Sequence, residues 1–270
     1  MAGSPPAELF AIEAGHGPTV LMVHGLGGDH TVWNEVAPRL ADRFRAVAVD
    51  LRGHGRSPLP PGSTFSFEEL EGDLRAEIGR RSEPPVHLVG LSAGALLALR
   101  LARDHPESVA SMTLINGAAY IDPHTREVVE SWQSAYREGG AEALNLRLTK
   151  DLFDRDWTEA HLDLIEKLRG EWTDGRLGVV ARWSAQVSRF DLRGQLGRIR
   201  APTLVLQSMG DAVIDPSHGR FLRVSIPGAE LKLFPACGHM LPIERPEEVA
   251  QAIAEFVSRS TSVGSPPSRP

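Results

Sequence analysis

Short apolar runs alternate with stretches of helical spacing along the first half of the chain. The runs Thr19–Val23, Phe44–Val49 and Val109–Ile115 are almost continuously apolar, which is typical of strands buried on both faces of a parallel sheet. Between them, Asp29–Asp42 and Phe67–Arg80 place apolar side chains at helical intervals. This alternation predicts βαβ units, and therefore an α/β fold with a mostly parallel central sheet flanked by helices.

The alternation breaks in the middle of the chain. Between residues 119 and 190 no run has strand character, and only stretches of helical spacing occur. These stretches are Arg126–Arg137, Thr158–Arg169 and Leu177–Ser188. The remaining predicted elements are strands at Glu8–Ala14, Thr203–Gln207 and Leu231–Phe234, a helix near Pro216–Val224 and a last helix at Pro246–Ser258.

These patterns predict one α/β core with a helical insertion. We expect residues 1–118 and 191–259 to form the core and residues 119–190 to form the inserted helical segment. The Ser/Pro-rich tail, residues 260–270, is expected to be disordered.

Composition narrows the classes of partner. The 270 residues carry a formal net charge of −6 without a long basic run, which argues against nucleic acid and anionic membranes. Cys237 is the only cysteine, so an intramolecular disulfide is impossible and a cysteine-based zinc site is not expected. Since neither a secretory signal nor an apolar stretch of membrane-spanning length is visible, we expect a cytoplasmic protein. We expect it to be a monomer or a homodimer.

A serine flanked by glycines lies between a predicted strand and a predicted helix. The strand Val86–Val89 leads into Gly90-Leu91-Ser92-Ala93-Gly94, and good helix formers follow it. A strand that turns directly into a helix brings both elements very close together, and Gly90 and Gly94 remove the side chains that would collide. This G-x-S-x-G turn predicts that the hydroxyl of Ser92 projects above the sheet as a nucleophile.

A serine hydroxyl needs a base, and the base is best oriented by an acid. In enzymes with such a turn the acid and the histidine follow the serine in the chain. Asp211 follows one predicted strand and His239 follows the last, and the carboxyl ends of parallel strands meet at one edge. Asp215 is the alternative acid, but it precedes Pro216 and is better explained as a turn and helix start.

An acyl-transfer enzyme also needs backbone donors for the oxyanion. We assign the N–H group of Ala93, directly after the nucleophile, and that of Leu26, in the glycine-rich stretch His24-Gly25-Leu26-Gly27-Gly28. This stretch lacks G-K-[ST] and does not open a helix as G-x-G-x-x-G, so it is not interpreted as a phosphate loop. We expect no cofactor and no metal.

The sequence resembles the α/β-hydrolase superfamily, in the group that includes 3-oxoadipate enol-lactonases and small bacterial carboxylesterases. The matching stretches are His24-Gly25, Asp50-Leu51-Arg52-Gly53-His54-Gly55-Arg56-Ser57, the serine turn, Ala201-Pro202-Thr203-Leu204-Val205-Leu206 with Asp211, and Gly238-His239. The resemblance implies that the helical segment forms a lid over the site. The enol-lactonases usually carry a bulkier residue than Ala93 and a glycine in place of Ala95. Epoxide hydrolases and haloalkane dehalogenases carry Asp in place of Ser92.

Four of the five tryptophans lie in the helical segment: Trp132, Trp157, Trp172 and Trp183. Most are expected to anchor the segment to the core. Trp132, Trp157 and Trp183 are candidates for contact with a small apolar or aromatic substrate.

The sequence predicts a cofactor-free serine hydrolase that cleaves a small carboxylic ester or lactone through Ser92, His239 and Asp211. Two alternatives remain open at this point. The scaffold also resembles lyases and C–C bond hydrolases, and it resembles ligand receptors that keep a slow triad.

Overall fold

A seven-stranded sheet forms the centre of the protein in the computed structural model, which describes residues 5–81, 84–170 and 174–263. The strand order is β1-β3-β2-β4-β5-β6-β7; β1 is antiparallel to β3, and the other neighbouring strands are parallel. The strands are β1 (Ala11–Ala14), β2 (Thr19–Val23), β3 (Arg45–Val49), β4 (Val86–Leu91), β5 (Val109–Ile115), β6 (Thr203–Ser208) and β7 (Glu230–Phe234).

Helices cover both faces of this sheet. They are α1 (Ala37–Leu40), α2 (Phe67–Arg81), α3 (Ala93–Asp104), α4 (Pro123–Leu152), α5 (Arg155–Ala160), α6 (Leu162–Gly170), α7 (Asp174–Val187), α8 (Ser217–Ser225), α9 (Leu241–Glu244) and α10 (Pro246–Val263). Short 3₁₀ helices occur at His30–Trp33, Pro106–Ser108 and Arg193–Arg198. None of the described helices is both long enough and apolar enough to cross a membrane.

The inner strands β2 to β6 bury side chains on both faces, as apolar runs predict, whereas the edge strands β1 and β7 are largely exposed or half-buried. In β5, Met112 and Leu114 pack on one face with α3, whereas Ile115 packs on the other face with α10. The bounds of β2 and β5 coincide with the predicted ones, and the predicted α/β architecture with a mostly parallel sheet flanked by helices is confirmed.

The predicted helix Asp29–Asp42 is wrong in its extent. The structure has a 3₁₀ helix at His30–Trp33, followed by the short α1. Pro38 is the physical reason, because proline lacks an N–H donor and its ring would clash with the carbonyl group of Asn34 in a continuous helix.

The C-terminal helix is longer than predicted. Helix α10 continues past Ser258 to Val263, so residues 260–263 of the expected disordered tail are helical. The hydroxyl groups of Ser260 and Thr261 donate to the carbonyl oxygens of Phe256 and Val257, at 3.0 and 2.8 Å. Residues 264–270 lie outside the described residues.

Helices α4 to α7 lie between β5 and β6, where the sequence predicts the insertion. The two ends of this segment lie side by side, because the N–H group of Leu192 donates to the carbonyl oxygen of Ala119 at 2.7 Å. Helix α4 is interrupted at Gly139 and Gly140, and the positive φ of Gly140, 66°, favours glycine. The cavity described below is bounded by this segment on one side and by the sheet edge on the other.

Candidate active site

Ser92 occupies a strained turn between β4 and α3. Its φ and ψ are 53° and −118°, a conformation that non-glycine residues adopt rarely and mostly at functional sites. A Cβ atom on Gly90 would lie 2.4 Å from the carbonyl oxygen of Gly94, and one on Gly94 would lie 2.4 Å from that of Val23. Both glycines are therefore required for the close approach that the turn demands.

The loops after β6 and β7 bring a carboxylate to a histidine. The Nδ1 atom of His239 lies 2.8 Å from Oδ2 of Asp211, and both side chains are buried. The other oxygen of Asp211 accepts hydrogen bonds from the N–H groups of Val213 and Ile214, at 2.8 and 2.9 Å. The carboxylate is thus held in place, and it selects the tautomer in which Nδ1 of His239 carries the proton.

Asp215 plays a different part in the same loop. Its carboxylate accepts the N–H group of Ser217 at 2.8 Å, and hydrogen bonding from the side chain and then the backbone of Ser217 lowers the pKa of Asp215. Asp215 is exposed and begins the turn into α8, in agreement with its interpretation from the sequence. Of the two candidate acids, Asp211 is the one that contacts His239.

The glycine-rich stretch after β2 lies against the serine turn. A Cβ atom on Gly25 would lie 3.0 Å from the Cβ atom of Ser92, so a side chain there would crowd the serine turn. His24 fixes the stretch, since its Nδ1 lies 2.7 Å from the carbonyl oxygen of Gly25 and its Nε2 accepts the N–H group of Leu51 at 3.0 Å. Leu26 therefore has a defined position beside the nucleophile turn.

Leu26 and Ala93 line the same cavity as Ser92 and His239. Ala93 is the first residue of α3, so its N–H group has no acceptor within the helix. The structure thus brings all four of these sequence-predicted residues to one cavity wall, with Asp211 behind His239.

Asn116, the residue directly after β5, is a residue of this site that the sequence analysis does not identify. Its side-chain Nδ2 donates to the carbonyl oxygen of His239 at 2.9 Å and to Oγ of Ser208 at 3.1 Å. Its Oδ1 accepts the N–H group of Ser208 at 2.8 Å. Asn116 is fully buried and has a positive φ of 46°, which asparagine tolerates better than most residues. It thereby joins the ends of β5 and β6 to the histidine loop.

The histidine loop is also joined to the helical segment. The carboxylate of Glu244 accepts the N–H group of Gly238 at 3.0 Å and that of Asp154 at 3.3 Å. The N–H group of Met240 donates to the carbonyl oxygen of Leu152 at 2.9 Å. Burial raises the pKa of Glu244, although the hydrogen bonds from the two N–H groups oppose that shift.

The cavity in front of Ser92 has a volume of about 570 Å³. Much of its wall consists of apolar side chains from the helical segment: Ile121, Val129, Trp132, Leu144, Leu148 and Leu152. A substrate of small to moderate size with an apolar part would fit such a wall.

Only one of the three tryptophans expected at the substrate is in this wall. Trp132 lines the cavity, and its indole N–H group donates to Asp151 at 2.7 Å. The expectation for Trp157 and Trp183 is corrected by the structure, because neither is among the described lining residues. Trp157 stacks on His161 with ring centroids 4.2 Å apart, and Trp183 packs edge-on against His54 at 5.3 Å. Trp172 lies outside the described residues.

One group of potential metal ligands occurs among the described residues, at Asp29, His30 and Asp50. Asp50 accepts hydrogen bonds from the backbone N–H groups of His30 and Arg56, at 2.6 and 2.7 Å. Asp29 accepts the N–H group of Thr31 at 2.9 Å. Asp50 therefore joins the loops after β2 and β3, and Asp29 holds the turn at Thr31.

Comparison with known proteins identifies the family of this chain. Residues 18–246 match the model of the alpha/beta hydrolase fold. The chain is 30% identical over 227 residues to RutD of Klebsiella pneumoniae, named as a proposed carbamate hydrolase (82% of this chain, 84% of that protein). It is 31% identical over 261 residues to the pimeloyl-[acyl-carrier protein] methyl ester esterase of Chromobacterium violaceum (93% of this chain, 98% of that protein).

A solved structure with a similar fold is the enol-lactonase of Burkholderia xenovorans, with a TM-score of 0.85 and 26% identity over 93% of this chain and 97% of that one. The family match spans both halves of the core as well as the helical segment between them. The chain therefore belongs to the α/β-hydrolase family of enzymes.

Proposed function

We propose that the protein is a serine hydrolase that cleaves a small carboxylic ester or lactone through an acyl-enzyme. The observation that carries this proposal is the hydrogen bond of 2.8 Å between His239 and the buried Asp211, at the wall of the cavity that Ser92 also lines. A buried carboxylate that fixes the tautomer of a histidine near a strained serine is the arrangement that acyl transfer requires.

In the proposed reaction, Oγ of Ser92 attacks the carbonyl carbon of the substrate while Nε2 of His239 takes the hydroxyl proton. Asp211 stabilises the imidazolium that forms. The N–H groups of Leu26 and Ala93 stabilise the oxyanion of the tetrahedral intermediate. His239 then gives its proton to the leaving alcohol, and the acyl group stays on Ser92. A water molecule, deprotonated by His239, finally releases the acid and restores the free serine.

The proposed substrate class rests on the cavity and on the relatives. Apolar side chains dominate the wall contributed by the helical segment, which suits the acyl or alcohol part of a neutral ester. The relatives include a methyl ester esterase and an enol-lactonase by name, so both ester and lactone carbonyls are supported as substrates. We infer that the helical segment acts as a lid that sets which of these the cavity accepts.

The experiment is a turnover assay on p-nitrophenyl esters of two to ten carbons and on simple lactones. Rapid mixing should show a burst of one p-nitrophenol per protein if deacylation is slow, and mass spectrometry of the quenched protein should find the acyl group on Ser92. Steady turnover distinguishes an esterase from a receptor with a slow triad. Absence of both turnover and an acyl adduct would contradict the proposal and favour a C–C bond hydrolase or a lyase.

A further inference from the structure

Two polar side chains of the helical segment form a pair at the cavity wall. Gln133 lies on α4 and Ser184 on α7, and both line the cavity. Nε2 of Gln133 donates to Oγ of Ser184 at 2.9 Å. The hydroxyl group of Ser184 donates in turn to the carbonyl oxygen of Ala181 at 3.0 Å. Ser184 is only 2% exposed, so this hydroxyl is held in the packed interface of the two helices.

This pairing fixes the orientation of the glutamine amide. Because the proton of the Ser184 hydroxyl is directed to Ala181, the serine oxygen accepts from Gln133 and does not donate to it. A glutamine amide has two N–H donors and a carbonyl oxygen that can accept two hydrogen bonds. One donor is used by Ser184, and no other hydrogen bond to Gln133 is found in the part of the chain that the structure describes. The carbonyl oxygen and one N–H group therefore remain available.

Two other polar side chains of the same wall, Thr125 and Trp132, use their donor groups within the protein. The hydroxyl group of Thr125 donates to the carbonyl oxygen of Val213 at 3.0 Å. The indole N–H group of Trp132, the residue directly before Gln133, donates to Asp151 at 2.7 Å. Both side chains thus present mainly their apolar atoms to the cavity. Gln133 differs from them because its amide keeps unused hydrogen-bonding capacity beside apolar neighbours such as Val129 and Val180.

An amide in this position discriminates between ligands. A purely apolar ligand that covers it would remove its water without replacing the hydrogen bonds, which costs free energy. A ligand with a hydroxyl, carbonyl or amide group at this point would replace them. The amide alone does not favour a charged ligand group, because a neutral amide cannot compensate the loss of hydration of an ion; the cations in the described part of this wall are Arg137 and Lys167.

We propose that Gln133, oriented by Ser184, is a specificity-determining subsite for a neutral hydrogen-bonding group of the substrate. This group is separate from the scissile carbonyl, because Gln133 belongs to the helical segment whereas Ser92 and His239 lie at the sheet edge. The proposal rests on the proposed hydrolase function and adds the class of substrate: an ester or lactone whose apolar chain carries a neutral polar substituent.

The test compares matched pairs of p-nitrophenyl esters that differ only in a hydroxyl group on the acyl chain, with four to eight carbons. For the wild-type protein, kcat/KM should be higher for at least one hydroxylated ester than for its plain partner. In Gln133→Leu, the ratio of the two kcat/KM values should fall roughly tenfold, as expected for loss of a hydrogen bond in a desolvated site. Ser184→Ala should reduce the ratio in the same direction, because the amide is no longer oriented.

Gln186→Leu is the matched control, since it makes the same change on α7 at a residue that is absent from the described cavity wall. It should leave the ratio unchanged, and circular dichroism should show all variants folded. Equal ratios in the wild-type protein and Gln133→Leu would overturn the subsite.

Binding to the Ser92→Ala variant separates this proposal from the proposed function. Tryptophan fluorescence can follow the binding of methyl hexanoate and of methyl 6-hydroxyhexanoate, which carries the hydroxyl group on the acyl chain, without any turnover. Tighter binding of the hydroxylated ligand that is lost in Ser92→Ala/Gln133→Leu supports the subsite even if no ester is hydrolysed. Equal binding of the two ligands would overturn the subsite even if the esterase activity is found.

Discussion

The side-chain amide of Asn116 donates a hydrogen bond of 2.9 Å to the backbone carbonyl oxygen of His239, across 123 positions of the chain. The same amide contacts Ser208 at the end of β6, three residues before Asp211. Asn116 therefore holds the two loops that carry the base and the acid at a constant separation. It contacts no reacting atom and acts as a positioning residue.

We predict that Asn116→Ala lowers kcat by ~10²-fold, because small displacements of a base cost this much. The loss of buried hydrogen bonds should also lower the free energy of unfolding by about 3 kcal/mol. The pH profile of kcat/KM should shift, since His239 loses its fixed relation to Asp211. Ser208→Ala, which removes only one partner of the amide, should show a smaller effect. An unchanged kcat and pH profile in folded Asn116→Ala would exclude the positioning role.

Removal of the nucleophile should abolish turnover and leave the fold intact. We expect Ser92→Ala to lower kcat by at least ~10⁴-fold, because only oxyanion stabilisation and binding then remain. The strained φ of Ser92 stays in the variant, so its stability should be close to that of the wild-type protein. Substantial turnover by the purified variant, with circular dichroism as the check on folding, would exclude the proposed mechanism.

The two aspartates of the loop after β6 should respond differently to the same substitution. Asp211→Asn should lower kcat on the order of 10⁴-fold, since an amide favours the wrong histidine tautomer. Asp215→Asn should retain activity and cost about 1 kcal/mol of stability, because Asp215 only holds the turn at Ser217. Measuring the turnover of both variants under the same conditions shows which aspartate orients His239. If Asp215→Asn were inactive and Asp211→Asn active, Asp215 would be the acid of the site instead of Asp211.

Substrate preference should depend on Trp132 and not on Trp157. Trp132→Ala removes a large ring from the cavity wall and so enlarges the cavity. We therefore expect kcat/KM to shift by roughly tenfold in favour of bulkier acyl groups. Trp157 does not itself line that wall, since its ring stacks between His161 and the lining residue Phe153; Trp157→Ala should lower stability by about 3 kcal/mol without changing the preference. Competition between short and branched p-nitrophenyl esters measures the substrate preference of both variants. A selectivity change in Trp157→Ala alone would show that the cavity wall extends further.

The raised pKa of Glu244 should make the free energy of unfolding depend on pH. Between the ordinary pKa of glutamate and the raised pKa, Glu244 binds its proton more fully in the folded protein than in the unfolded chain. The free energy of unfolding contributed by this group therefore falls as the pH rises from about 4 through the raised pKa. Glu244→Gln lacks this titration, so its stability relative to the wild-type protein should increase with pH across that window.

Urea titrations at half-unit steps of pH measure this difference. Glu248→Gln, at an exposed carboxylate of α10, controls for the removal of one negative charge. If the relative stability of Glu244→Gln were constant with pH, the burial of Glu244 would not control its titration.

The sequence predicts the fold because the relevant signals are local. Strands β2 and β5 are continuous apolar runs, and burial on both faces of a parallel sheet demands such runs. The turn at Ser92 needs glycine at positions 90 and 94 because the backbone approaches each of them within 2.4 Å of a would-be Cβ atom. Where neighbouring residues impose conflicting demands, as Pro38 does within an otherwise helical pattern, the prediction fails.

The choice of Asp211 over Asp215 could also be made from the sequence. A proline restricts the backbone of the residue before it, so Pro216 favours a turn at Asp215. The short connection from β6 places Asp211 near the sheet edge. The contact with His239 follows from two strand ends that lie side by side in the sheet.

By itself, the sequence determined the order of strands and helices, the serine turn and the chain order of the candidate triad, since each depends on residues within one element or its flanking turn. Only the tertiary structure decided that Trp132 lines the cavity while Trp157 and Trp183 do not. Only the tertiary structure joined Asn116 to His239 and Gln133 to Ser184. The physical reason is that these contacts join separate elements, whose packing depends on side-chain volumes and hydrogen bonds throughout the molecule.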